Sequence, residues 1–224
     1  MAQVLDPPFV PYTPLSFSAE EQLERAEALY THHLQRRSVR EFADRPVDRQ
    51  VIEYLIRIAA SGPTGANKQP YTFAIVSDPA LKAQIREAAE AEERENYSGR
   101  FPQSWRDDLV PFGTDWQKPF LTTAPYLILV FSQSYGVHPD GTQEKHYYVH
   151  ESVGIAAGFL IAAIHHVGLV TLTHTPSPMN FLQKLLGRPS HEKALLLLPV
   201  GYAAQDVQVP NLRKKPLEAV SVWY

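Results

Sequence analysis

Two uninterrupted apolar runs, Tyr126-Leu127-Ile128-Leu129-Val130-Phe131 and Leu195 to Val200, constrain this chain more than any other feature. Successive side chains of a strand point to opposite faces, so a strand that is apolar at every position must be covered on both. Residues 71–76 read as another such strand, and 169–172 as a short one. Segments with helical spacing lie between them, so helices and buried strands are interleaved. The fold class is α+β, an α/β sandwich with helices flanking a central sheet. The chain has no internal repeat, and 224 residues fit a single domain spanning 1–224.

The helical segments carry their own start signals. Ser18 with Glu21 forms a capping box, and Leu23, Ala26, Leu29, Tyr30 and Leu34 recur at helical spacing, which predicts a helix over 19–35. Asp48 caps a second helix, with Val51, Ile52, Leu55, Ile56 and Ala59 on its apolar face and Gly62 as its stop. Asp78-Pro79 opens a third, which runs through Glu87, Glu90, Glu92, Glu93 and Glu95 to Tyr97. By composition, that acidic run is a solvated face. Residues 147–166 are apolar nearly all round, which predicts a buried central helix, and Gly154 and Gly158 would let another backbone approach closely. A short helix over 181–186 ends at Gly187. Residues 1–16, with Pro7, Pro8, Pro11 and Pro14, read as an extended arm. Residues 98–119 lose periodicity but keep aromatic anchors, the pattern of an irregular lid. His138-Pro139-Asp140-Gly141 is a turn, and residues 205–224 form a tail outside the compact pattern.

Composition narrows the chemistry. A formal charge of -3 provides no basic field for nucleic acid. With no cysteine, disulfides and thiolate catalysis are excluded, which fits a reducing compartment. The N-terminus has no secretory character, and the most apolar stretch, 153–164, is about half the roughly 20 residues that span a bilayer. The expectation is a soluble, cytoplasmic protein. No G-x-G-x-x-G, P-loop or G-x-S-x-G occurs. His146 and His150 are four apart and His165 and His166 adjacent; without a third ligand these read as surface or interface pairs, and no metal is expected.

Arg36-Arg37-Ser38-Val39-Arg40-Glu41-Phe42 joins the first two helices. Its guanidinium forks and hydroxyl can converge on a dianion such as a phosphate, although a basic corner offsetting a helix dipole has the same composition. Downstream, Ser61-Gly62-Pro63-Thr64-Gly65-Ala66-Asn67-Lys68-Gln69-Pro70 is a polar, turn-rich loop.

Together these two stretches resemble the phosphate motif and flavin-edge loop of nitroreductase-like flavoproteins. Thr171-Leu172-Thr173-His174-Thr175-Pro176, Leu186-Gly187-Arg188-Pro189 and Leu198-Pro199-Val200-Gly201-Tyr202 narrow the likeness to the iodotyrosine deiodinases and their bacterial homologues. The resemblance runs from about 36 to 216 and implies a nitroreductase-like FMN fold with a mixed central sheet, dimeric with exchanged terminal segments. It implies that Arg36, Arg37, Ser38 and Arg40 hold the FMN phosphate and polar edge, and that Thr64 and Gly65 come from the partner subunit. Lys214 stands where the family has an arginine against the flavin; lysine keeps the charge and loses the fork. Thr173, His174 and Thr175 match the segment near flavin N5, with Thr175 as the hydroxyl that bonds N5 and is counted as catalytic. His174 departs from the all-threonine vertebrate pattern.

By the same likeness Glu93, Tyr97 and Lys118 grip the zwitterion of a halotyrosine, and the Ala66 amide binds its phenolate. A carboxylate for the ammonium, a cation for the carboxylate and a phenol donor make a sensible amino-acid clamp. The implied activity is reductive removal of halide from 3-halotyrosine or a related halophenol by one-electron steps. NAD(P)H would be the electron source, directly or through a separate reductase. The alternatives are a broad NAD(P)H nitroreductase or quinone reductase on the same fold, and a non-catalytic binder of flavin or aromatic amino acids.

Overall fold

The apolar runs pair with each other. In the computed structural model, which describes residues 9–224, β2 (Tyr126–Gln133) and β6 (Glu192–Gly201) run antiparallel, with Ile128 opposite Leu198 and Leu129 opposite Leu197. β1 (Tyr71–Val76) pairs antiparallel with the outer edge of β2, and β5 (Val170–Thr171) with the other side of β6, giving the order β1-β2-β6-β5. All pairings between these strands are antiparallel. The parallel component is one bridge, Ser38 to Thr171, which ties the arginine segment to the edge of the sheet.

Alternation along β2 divides the core in two. Leu127, Leu129 and Phe131 face one side, with Ile85 and Ala89 of α3 (Pro79–Glu95), Phe120 of α5 (Phe120–Thr123) and Leu182 of α7 (Asn180–Leu185). Ile128 and Val130 face the other, with Ile52 and Leu55 of α2 (Arg49–Ala60) and Leu160 and Ile164 of α6 (Val149–His166). Each such leucine or isoleucine stabilises the fold by about 1.5–3 kcal/mol through the area it removes from water.

The capping signals are all realised. Ser18 Oγ accepts from the Glu21 amide and Glu21 returns to the Ser18 amide at the head of α1 (Ala19–Leu34); Asp48 caps α2 and Asp78 caps α3. The apolar spacing of α1 covers nothing within the described chain: α1 has no buried residue, and Leu23 and Tyr30 are 71% and 64% exposed. The expectation that 147–166 is buried nearly all round is corrected. α6 is buried on one face only: Ile155 and Phe159 are exposed, and a Cβ added at Gly154 or Gly158 would meet nothing within 4 Å. The apolar side of α1 and one face of α6 therefore lie uncovered on the chain's surface.

The turn at 138–141 closes a separate hairpin of β3 (Tyr135–Val137) and β4 (Gln143–Lys145), which was not foreseen. The expected irregular lid is mostly helical: a wide turn Asn96–Arg100, α4 (Gln103–Leu109) and a tight turn Val110–Phe112. Phe101 and Trp105 stack within it at 4.3 Å. Half of the expected arm, residues 1–8, lies outside the described residues; residues 9–16 form no element and are exposed. The tail carries one short turn, Leu217–Ala219, and its residue Pro210 accepts a hydrogen bond from Arg37 through its carbonyl. Among the described residues no helix is long and apolar enough to cross a membrane.

Candidate active site

Because Ser38 bridges to Thr171 at the sheet edge, the arginines that flank it lie beside three adjoining cavities. The first, about 320 Å³, is lined by Arg36, Arg37, Ser38, Arg40 and Lys214, with Phe112 from the lid segment. The second, about 280 Å³, joins Arg36 and Ser38 to Thr173. The third, about 260 Å³, joins Arg40 to Thr114 and Asp115 at the end of the lid segment and to Phe120. Sequence neighbours of the arginine motif and the distant Lys214 thus share one wall. Among the described residues none of Arg36, Arg37, Arg40 and Lys214 forms an ion pair. In the first cavity no carboxylate among the described residues lines the wall with these cations, which is the donor set of a phosphate site.

The strand-like segment after β5 alternates. Thr173 and Thr175 are exposed, whereas His174 is buried, its ring edge-on to Phe120 at 5.5 Å. Both backbone groups of His174 bond to Leu197. The side chain of His174 thus packs inward and its backbone is committed to Leu197, and the effect is to turn the two threonines outward. Burial, and then the charges of Lys118 and Arg40, push its imidazole down to about 3, so it is neutral, and its Nε2 has no hydrogen-bond partner.

Glu93, Tyr97 and Lys118 converge. Glu93 lies in line with Ile85, Ala89 and Asn96 on the buried stripe of α3, not on a solvated face. Its carboxylate stands 3.9 Å from the Lys118 ammonium, with side chains 9% and 5% exposed. Lys118 Nζ lies over the Tyr97 ring at 5.6 Å and donates to Thr114 Oγ1 and to the Asp115 carbonyl. Tyr97 donates its hydroxyl to the Thr114 carbonyl at 3.2 Å. Burial raises the Glu93 carboxyl above its ordinary range, against the pull of Lys118, and lowers the Lys118 ammonium, against the pull of Glu93 and Asp115.

The loop carrying Thr64, Gly65 and Ala66 lies elsewhere in the chain. It packs on the start of α6, where the Gly65 amide donates to Ser152 Oγ at 3.2 Å, and none of its residues lines the three cavities. Gly65 is required there, since a Cβ would come within 2.8 Å of the Tyr147 carbonyl oxygen. Ala66 is exposed in a left-handed conformation, φ 50°. His146, expected at the surface or an interface, is instead buried and bonded to the Gln133 carbonyl, and the His165 ring lies tilted against His32 at 4.4 Å.

Comparison with known proteins agrees with this geometry. The Nitroreductase family matches residues 34–202. The iodotyrosine deiodinase of Haliscomenobacter hydrossis is 57% identical over 218 residues, covering 97% of this chain and 98% of that protein. The chain belongs to the iodotyrosine deiodinases. The Hydra vulgaris deiodinase is 46% identical over 217 residues, 96% of this chain and 80% of that protein. A crystal structure of oxidized iodotyrosine deiodinase bound to FMN and 3-iodo-L-tyrosine superposes with a TM-score of 0.73 at 33% identity, covering 84% of this chain and 96% of that one. A BluB-like flavoprotein from Clostridium difficile 630, at 18% identity and a TM-score of 0.65, covering 88% of this chain and 98% of that one, shares the fold alone. The fold is nitroreductase-like, and the deiodinases are one branch of that family.

Glu90 was missed in the sequence. It stands one turn before Glu93 and Arg94 and bonds to the Lys118 backbone. Its neighbour Ala89 falls on the buried spacing of Ile85, Ala89 and Glu93, a signal that the acidic run faces inward at this turn.

Proposed function

We propose that this chain is an FMN-dependent reductive dehalogenase of halotyrosines, converting 3-iodotyrosine to tyrosine and iodide. The observation that carries this reading is the meeting of Glu93, Tyr97 and Lys118, the last two bonded to Thr114 and Lys118 also to Asp115, residues that share a cavity with Arg40. Arg36, Arg37, Ser38 and Lys214 would hold the FMN phosphate, Arg40 its polar edge, and Thr173 and Thr175 would present hydroxyls near N5. FMN held there would supply two electrons, singly, which with one proton would replace the carbon–halogen bond by carbon–hydrogen and release halide.

The chain's own residues do the rest. Glu93 accepts from the substrate ammonium, and Lys118 with the Tyr97 hydroxyl donates to its carboxylate, so the amino-acid end is fixed before the ring is engaged. The Ala66 amide would bind the phenolate from an exposed residue. Residues 98–119 form a lid, and its closure over the ring would exclude water. Thr175 would present to N5 a hydroxyl that can both donate and accept.

Two copies complete the site. Thr64, Gly65 and Ala66 lie apart from the arginine cluster in one chain, while the open face of α6 at Gly154, Ile155, Gly158 and Phe159 and the uncovered apolar residues of α1 are surfaces a second copy would bury. The working unit is a homodimer of single-domain chains, in a reducing cytoplasm and supplied by NAD(P)H, directly or through a reductase. Glu93→Gln or Lys118→Gln should weaken 3-iodotyrosine binding by about tenfold or more, one charge-assisted hydrogen bond, and leave FMN affinity nearly unchanged. Equal loss of both ligands sinks the clamp.

A further inference from the structure

Lys118 emerges from the lid just before α5, and its ammonium bonds within the same stretch, to Thr114 Oγ1 and the Asp115 carbonyl. Its backbone amide is held from outside that stretch. The Lys118 amide donates to Glu90 Oε1 at 2.7 Å, across 28 residues of chain. Glu90 is in turn held by Arg86, one turn earlier on α3, whose Nε donates to the same Oε1 at 2.7 Å while its Nη1 donates to Thr122 Oγ1 of α5 at 3.1 Å. The Glu90 side chain is 12% exposed. Burial alone would raise its carboxyl, yet the bonds from the Lys118 amide and Arg86 outweigh this and hold it below its ordinary range. A second tie lies one turn on, where Arg94 covers the Trp116 ring at 4.1 Å.

α3 therefore carries both ends of the lid. Tyr97 leaves its last turn directly, and Lys118 is fastened back onto it. Resting on the proposed zwitterion clamp, we infer that Glu90 is a positioning residue for substrate recognition: by accepting the Lys118 amide it sets the ammonium of that lysine opposite Glu93. It touches neither substrate nor cofactor, and its bond runs to the backbone of Lys118, not to its charge. An acceptor of the right length is thus what the position needs, and a negative charge is secondary. Freed from Glu90, the 114–118 segment of the lid could carry Lys118 away from Glu93, and the carboxylate of an amino acid would meet no fixed cation.

Three variants separate these requirements in the FMN-loaded protein. Glu90→Ala removes the acceptor, Glu90→Asp draws it back by one methylene but keeps the charge, and Glu90→Gln keeps an acceptor of full length without the charge. Dissociation constants for 3-iodotyrosine and for 2-iodophenol, which lacks the zwitterion, are read from quenching of flavin fluorescence, and FMN affinity is read from titration of the apoprotein. The expected result is a loss of about tenfold in 3-iodotyrosine affinity for Glu90→Ala, a smaller loss for Glu90→Asp, and rescue to within about threefold by Glu90→Gln. 2-Iodophenol and FMN should bind as in the parent. If Glu90→Ala fails to fold, the contrast of Asp with Gln carries the test. Parent-like affinity in Glu90→Asp, equal loss in Asp and Gln, or equal loss for 2-iodophenol overturns the inference while leaving the clamp standing. Failure of the parent to bind 3-iodotyrosine overturns the clamp, and the inference with it.

Discussion

The clamp burdens the ligand-free protein. At 3.9 Å, and with an effective dielectric of about 20, Glu93 and Lys118 attract each other by about 4 kcal/mol. The separation is too long for a hydrogen bond, and taking two ions out of water costs several kcal/mol each. The titration shifts agree, since burial outweighs the partner's attraction in both groups, raising one and lowering the other. Replacing the pair together, Glu93→Gln with Lys118→Met, keeps volume and removes both charges. It should raise the free energy of unfolding by about 1–4 kcal/mol and abolish 3-iodotyrosine binding. The Asp115 carbonyl that loses the ammonium belongs to an exposed residue and can turn to water. Urea unfolding at pH 7, without substrate, reads the gain. The sign with pH follows from Glu93. Its folded value is raised above the ordinary 4.5, so its contribution is most favourable when it is protonated and is lost as pH rises through the folded value. The advantage of the double variant should therefore shrink as pH falls toward 4.5. A double variant less stable than the parent by about 1 kcal/mol or more at pH 7 would refute the claim that the pair is a net cost.

Other perturbations test other parts. Thr175→Val, nearly isosteric but without the hydroxyl, should slow iodide release by about tenfold while the 3-iodotyrosine dissociation constant moves less than about threefold in fluorescence titration. Gly158→Glu places a charge on the open face of α6, and sedimentation should show monomers that have lost FMN; a dimeric, flavin-loaded variant would exclude that face from the interface. Gly65→Ala forces a methyl within 2.8 Å of the Tyr147 carbonyl and should lower stability by about 1–3 kcal/mol in urea, whereas no change would mean that the loop moves freely.

What could be read from the sequence was what short spacing dictates. Ser18 with Glu21, Asp48, and Asp78 with Pro79 placed three helix starts, because caps act within one turn. The runs 126–131 and 195–200 gave the two central strands, since only strands covered on both faces are apolar at every position. The family motifs brought Glu93, Tyr97 and Lys118 to notice although nothing local joins them. The misses are of a different kind. The Ser38 to Thr171 bridge and the Glu90 to Lys118 bond span long stretches of chain and leave no periodic trace. Apolar spacing in α1 and α6 says that a face must be covered, not that the same chain covers it. Glu93 was hidden by its acidic neighbours, although it keeps the buried register of Ile85 and Ala89. Strand alternation, and not the motif, turns the His174 side chain inward while Thr173 and Thr175 face out.

The most direct measurement is anaerobic. The FMN-loaded protein is reduced stepwise with a one-electron donor in the presence of 3-iodotyrosine, and iodide and tyrosine are quantified against electrons delivered. One iodide and one tyrosine for each pair of electrons, with no release in the Glu93→Gln protein at the same substrate concentration, is the predicted outcome. Full reduction of the flavin with no iodide, in a protein that readily reduces nitroarenes or quinones, would contradict it.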